Sequence, residues 1–141
     1  MALTSNDKAN SLICFHLSGI FGRANVYQLP PLMEAYRGKE VIAPAHLQGR
    51  FLFGREVTLP YLAQRFEAGA CIESFKLTEK FDYEDFKSCY GKSAVPMFLV
   101  GGAGDLHLFT VEENRFAPRP GQTLIALINP SGRDTKGCVE N

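Results

Sequence analysis

Apolar positions in the first thirty residues fall at Ala9, Leu12, Ile13, Leu17, Ile20 and Phe21, close to the i, i+3, i+4, i+7 spacing of a helical face. Ser5, Asn6 and Asp7 stand just ahead of this run, each a good N-cap, and Gly22 follows it where helices commonly close. Residues 25–29 then read as a short strand, stopped by Pro30 and Pro31. Helix then strand, entered through a polar cap, is the second half of a strand-helix-strand crossover whose first strand is reduced to Ala2 and Leu3. The chain therefore reads as a piece cut from something larger.

Residues 31–47 are rich in proline, glycine and charge and show no period, which predicts a linker or an ordered crossing loop and places the main boundary there. Residues 47–53 form the next expected strand, closed by Gly54. Thr58 caps a helix that has Pro60 in its first turn, Leu59, Leu62, Ala63 and Phe66 on one face, and Gly69 at its end. Residues 71–78 alternate as a strand. Asp82 is the expected cap of a further helix, because Phe81 and Phe86 are spaced as a hydrophobic staple and Glu84 and Asp85 place negative charge in the first turn. Residues 95–100 and 106–110 flank a glycine-rich turn and predict a hairpin, with Pro96 starting its first strand at an edge. After a proline-rich loop at 115–122, the unbroken apolar run 123–128 predicts a central strand buried on both faces. The expected order from residue 47 onward is β-α-β-α-β-β-β, and the class is α/β (α+β). The chain divides into a helix-strand segment 1–30, a linker 31–47, a compact domain 48–130 with a mixed sheet packed by two helices, and a flexible tail 131–141.

Composition narrows the function classes. Hydrophobic content of 45% and charged content of 21% over 141 residues suit one globular domain with a remnant of a neighbour. Fifteen basic and fifteen acidic residues cancel, which argues against a nucleic-acid groove. No apolar run approaches the roughly 20 residues of a spanning helix, and no secretory signal opens the chain, so direct membrane insertion is not expected and a cytoplasmic location is. Cys14, Cys71, Cys89 and Cys138 lie 57, 18 and 49 positions apart with no clustered histidine. That spacing excludes the usual zinc patterns and predicts free thiols, so no metal site is expected.

Candidate chemistry is sparse. Gly91-Lys92-Ser93 ends like a phosphate loop, but the earlier glycine would fall at Phe86 and the order is helix to strand, so the match fails. Gly101, Gly102 and Gly104 are explained by a hairpin turn without an anion. Cys89 and the scattered His16, His46 and His107 suggest no nucleophile-base pair, and the adjacent acids Glu84-Asp85 and Glu112-Glu113 do not face one another on a helix. No catalytic residue is expected. Arg50, Arg55, Arg115 and Arg119 would form an anion site only if their loops met.

Leu3-Thr4-Ser5-Asn6-Asp7, Asn10, the helix through Phe21-Gly22, and Val26-Tyr27-Gln28-Leu29 together resemble the end of an RCK (TrkA-N-like) domain, the Rossmann-like nucleotide-binding regulator of bacterial ion transporters. Gly49-Arg50-Phe51-Leu52-Phe53-Gly54, Leu77-Thr78-Glu79-Lys80-Phe81-Asp82-Tyr83 and Arg119-Pro120-Gly121-Gln122-Thr123-Leu124-Ile125-Ala126-Leu127 are similar to the cytoplasmic C-terminal region of bacterial sodium:proton antiporters. The resemblance implies a Rossmann-like remnant, a homodimer, a transmembrane transporter domain in the parent protein, and a non-catalytic regulatory role. It also implies a partial nucleotide site at Thr4, Ser5, Asn6 and Asp7, at the carboxyl edge of the sheet. The chain departs from the family in lacking the GxGxxG fingerprint, so a nucleotide belongs to the intact parent and none is expected tightly bound here; helix capping alone also accounts for Ser5, Asn6 and Asp7. A fragment of a nucleotide-dependent oxidoreductase and a free-standing ligand sensor are the alternatives.

Overall fold

A computed structural model describes residues 1–32, 48–112 and 117–129. The chain forms two compact units, Met1–Ala63 with Thr110–Glu112, and Gln64–Phe109 with Glu113–Asn141. Helices and strands are both present throughout, so the class is mixed α/β as expected.

In the first unit, helix α1 spans Asp7–Phe21. Its cap is Asn6, whose side chain accepts from the Ala9 backbone N–H at 3.0 Å, and it ends where Gly22, at φ 77°, donates back to the Ser18 carbonyl. A 3₁₀ turn at Arg23–Asn25 leads to strand β1, Tyr27–Gln28. Ala2 bridges to Gln28 in parallel. Residues 2–28 are therefore a strand-helix-strand crossover whose first strand is a single bridging residue. Strand β2, Arg50–Phe51, adds in parallel on β1, with Tyr27 opposite Arg50 and Gln28 opposite Phe51. Leu52 then bridges Thr110 in antiparallel fashion.

The sequence-based boundary at 31–47 thus separates two strands that pair; residues 33–47 themselves lie outside the described part, as does the 131–141 tail. Parallel partners need a long connection, so a pair of two-residue strands leaves little local signal in the sequence.

Helix α2, Leu59–Glu67, starts behind Thr58, whose hydroxyl accepts from the Tyr61 N–H at 3.3 Å. It closes through Gly69, at φ 87°, with Ala70 N–H donating to the Arg65 carbonyl, the long backward bond of a Schellman end.

The second unit is built on a four-stranded sheet in the order β3-β6-β4-β5, with β3 Cys71–Lys76, β4 Val95–Val100, β5 Leu106–Leu108 and β6 Thr123–Ile128. Every pairing is antiparallel, whereas a mixed sheet was expected. The apolar run β6 is central, and Leu124, Ala126, Leu127 and Ile128 are fully buried. Pro96 is placed in an interior strand, yet β5 pairs with β4 only from Phe98 onward and the register shifts between Pro96 and Phe98. Its missing N–H therefore costs the ladder nothing on the β5 side.

Helix α3, Tyr83–Tyr90, carries a full capping box: Asp82 accepts from the Glu84 and Asp85 N–H groups at 2.8 and 2.9 Å, and Asp85 accepts from Asp82 N–H at 3.0 Å. Its Phe86 and Tyr90 join Phe75, Leu77, Leu99, Leu124, Ala126 and Ile128 in one core. Arg65 ties this unit further, donating to Asn129 Oδ1 at 3.1 Å and to the Ser93 carbonyl. Cys14 and Cys71 are free thiols. Cys89 is disulfide-bonded, against the expectation of free thiols, since separation along the chain says nothing of separation in space; Cys138 lies outside the described residues.

Candidate functional site

The turn that enters α1 is organised by Asn10, which is only 3% exposed although polar. Its Oδ1 accepts from the Thr4 backbone N–H at 3.1 Å and from the Thr4 hydroxyl at 2.7 Å, and its Nδ2 donates to the Thr4 carbonyl at 2.8 Å. The Thr4 hydroxyl in turn accepts from the Asn6 N–H at 3.2 Å. One buried amide thus clamps three polar groups of a residue six positions earlier. A buried amide with these bonds is stable, and one without them would be costly.

Thr4, Ser5, Asp7 and Asn10 line a pocket of about 50 Å³ together with Leu29, Pro30, Leu32 and the start of α2 at Thr58, Leu59 and Pro60. The Asp7 carboxylate accepts from the Leu32 N–H at 3.4 Å across one side. Of the four predicted site residues, Thr4, Ser5 and Asp7 border this pocket, while Asn6 is occupied as the helix cap. Thr58 and its neighbours could not be assigned to the site from the sequence, because nothing local marks them as partners of residues fifty positions away. Asn10 was legible only as part of a family pattern; its role as clamp needed coordinates.

Size and chemistry limit what the pocket does. A pocket of this volume takes a water or a small ion, against roughly 300–1,000 Å³ for ordinary ligand sites, so a nucleotide would need walls from outside the described residues. Both sides are helix starts, which present backbone N–H groups and the positive end of the helix dipole, while Asp7 sets a negative charge among them. No cluster of three metal-ligating side chains occurs among the described residues. Nor is any described helix long and apolar enough to cross a membrane.

Of the arginines considered together, Arg50 is engaged within the first unit. Arg50 lies over the Tyr27 ring at 5.5 Å and donates to the Thr110 hydroxyl at 3.1 Å, with Glu112 at 3.9 Å. Arg23 donates to Glu112 at 3.1 Å and to the Gln48 carbonyl at 3.1 Å. These contacts fasten residues 110–112 to β2 and form a structural network. Arg115 lies outside the described residues.

The other notable surface of the first unit is the outward side of α1. Its buried residues are Asn10 and Cys14, the latter packed with Ala2, Val26 and Leu17. Leu12, Ile13, Phe15, Ile20 and Phe21 are exposed by 43–74%. The apolar pattern legible in the sequence is thus mostly turned to solvent, and an unusually polar side faces inward.

Comparison of the chain with protein-family models, with curated proteins and with solved structures finds no match in any of the three.

Proposed function

We propose that this chain is a non-catalytic regulatory module, the cytosolic ligand-sensing and dimerisation part of a sodium:proton antiporter whose transmembrane domain lies elsewhere in the parent protein. The observation that supports the reading is the crossover of residues 2–28, in which a one-residue strand leads through the Thr4–Asn10 clamp into α1, since a polar turn between a strand and a helix is what the RCK resemblance implies. A turn clamped in this way holds helix N–H groups in a fixed position, which is what a sensor needs at the edge of its ligand site. In the intact protein, ligand occupancy would act by favouring one of two transporter states, and a coupling of about 1–3 kcal/mol suffices to change activity several-fold.

Differential scanning fluorimetry of the chain against nucleotides, cyclic dinucleotides and monovalent and divalent cations tests the sensing role. A ligand present at a hundred times its Kd stabilises by about 2.7 kcal/mol, which for a chain of this size is a shift on the order of 5–10 °C. A saturable shift with one class of ligand supports the reading. Flat melting curves with every class refute ligand sensing by this chain.

A further inference from the structure

We infer that α1 is a self-complementary surface which pairs with α1 of a second copy of this chain, antiparallel, about a two-fold axis passing at His16. The inference deepens the dimerisation role proposed above, but it stands on the surface of α1 and is tested without any ligand.

At 100° per residue, His16 lies at the centre of the exposed stripe. Leu12 and Ile20 stand four residues before and after it, offset by about 40° to either side, and Ile13 and Gly19 stand three residues before and after, offset by about 60°. Leu12 and Gly19 fall on one side of His16, and Ile13 and Ile20 on the other. A two-fold axis between two antiparallel copies reverses height along the helix and keeps each side of the seam. It therefore sets Leu12 against the second copy's Gly19 and Ile13 against the second copy's Ile20, and each contact occurs twice, as an isologous interface requires. The Leu12–Gly19 pair is a projection meeting a notch. Leu12 is 74% exposed, and a Cβ built at Gly19 would find nothing within 4 Å, so the space into which the partner's leucine would project is open.

Charge and area favour the same occupant. The stripe of Ala9, Leu12, Ile13, His16, Gly19 and Ile20 contains no acidic or basic side chain other than His16, so two copies can meet without opposing fixed like charges. Leu12 is 74%, Ile20 61% and Phe15, on the flank, 54% exposed. With Ile13 they leave roughly 450 Å² of apolar surface in water per copy, so pairing removes on the order of 1,000 Å² in all, the lower bound of a specific interface. Pairing of this kind also answers why so many large apolar side chains lie on one side of a single helix.

The test is sedimentation equilibrium of the full chain at roughly 100 μM, above the micromolar Kd appropriate to a small interface. The wild type is expected as a dimer, and Leu12→Asp and Ile20→Asp each as a monomer with unchanged circular dichroism, because both side chains are exposed and their loss leaves the fold intact. His16→Cys supplies the register. Helix axes about 8–10 Å apart, less two backbone radii of about 2.3 Å, bring the two position-16 Cα atoms within disulfide range at the axis, so mild oxidation should yield a covalent dimer that the wild type treated in parallel does not form. A monomeric wild type at this concentration overturns the inference, as does a dimer that persists in both aspartate variants. A dimer lost in those variants but without the position-16 cross-link overturns the two-fold at His16. A flat ligand screen leaves all these outcomes unchanged, so the two proposals fail separately.

Discussion

Gly49→Ala should loosen the crossover of the first unit, through contacts that can be counted. A Cβ at this position would lie 3.0 Å from the Val26 carbonyl oxygen and 3.2 Å from Cys14 Sγ, where ordinary contact begins near 3.4 Å. The Val26 oxygen cannot retreat freely, since it accepts from the Arg50 N–H at 2.8 Å, the bond that starts the parallel β1–β2 pairing. Gly49 N–H also donates to the buried Gln28 Oε1 at 3.2 Å, so moving the glycine away strains a second buried bond. Overpacking of this kind costs about 1–3 kcal/mol, and alanine returns about 0.4–1 kcal/mol by restricting the unfolded chain. The net expectation is a loss of about 1–2 kcal/mol.

Cys14→Ala removes one of the two obstructing atoms. In that background Gly49→Ala should cost less, with a coupling of about 0.5–1 kcal/mol, although Cys14→Ala is itself destabilising because it empties a fully buried position. Urea denaturation of the four proteins in the cycle measures both quantities. A Gly49→Ala protein as stable as the wild type, or an equal cost in both backgrounds, would refute the packing argument.

Phe86 is 1% exposed and lies 5.0 Å from the Phe75 ring and 5.1 Å from the Tyr90 ring. Phe86→Ala should therefore cost about 3–5 kcal/mol in chemical denaturation, and a loss below 1 kcal/mol would mean that the aromatic core is not as packed as described. Asp82→Ala removes the acceptor of two N–H groups at the start of α3 and should cost about 1 kcal/mol, whereas Asp82→Asn, which keeps an acceptor, should stay within a few tenths; equal losses in the two variants would contradict the capping account. Burial raises the Cys14 thiol above its ordinary value of 9.0, partly offset by the Gly49 N–H, and burial likewise raises the Tyr83 phenol above 10.0. In both cases the fold favours the neutral form, so the stabilisation is complete below the unfolded values and is lost as pH rises past them. Denaturation midpoints should hold from about pH 7 to 8.5 and fall above about 9, with the first part of the fall absent in Cys14→Ala; midpoints rising toward pH 10 would reverse the sign. Alkylation under native conditions should label the partly exposed Cys71 and spare Cys14, which is fully buried, and native labelling of Cys14 would show that the first unit opens readily.

Local chemistry carries most of what the residues alone revealed. Asn6, Thr58 and Asp82 cap the helices that follow them, and Gly22 and Gly69 close two of these at positive φ. Such signals involve residues within about four positions of each other, so propensity and spacing suffice to read them. The central place of β6 was also legible, because an unbroken apolar run of strand length has to be covered on both faces. The candidate site was legible only in part. Thr4, Ser5 and Asp7 were marked by the helix start, but the clamp from Asn10 back to Thr4 and the wall supplied by Thr58–Pro60 depend on contacts that no pattern of spacing announces.

The sequence by itself determined the kinds of element, their order and the ends of the helices, because backbone sterics, capping bonds and side-chain periodicity act over a few residues. The strands expected at 47–53, 71–78 and 106–110 are instead shortened to Arg50–Phe51, Cys71–Lys76 and Leu106–Leu108, since a strand ends where its partner does. Only the tertiary structure decided which strands pair, which side of α1 faces inward, and that residues 110–112 return to β2. A single helix presents several faces with comparable apolar content, and which one is covered depends on what the rest of the chain brings to it. Here Ala2 and Val26 cover the side of Cys14, and the leucine and isoleucine stripe is left outward.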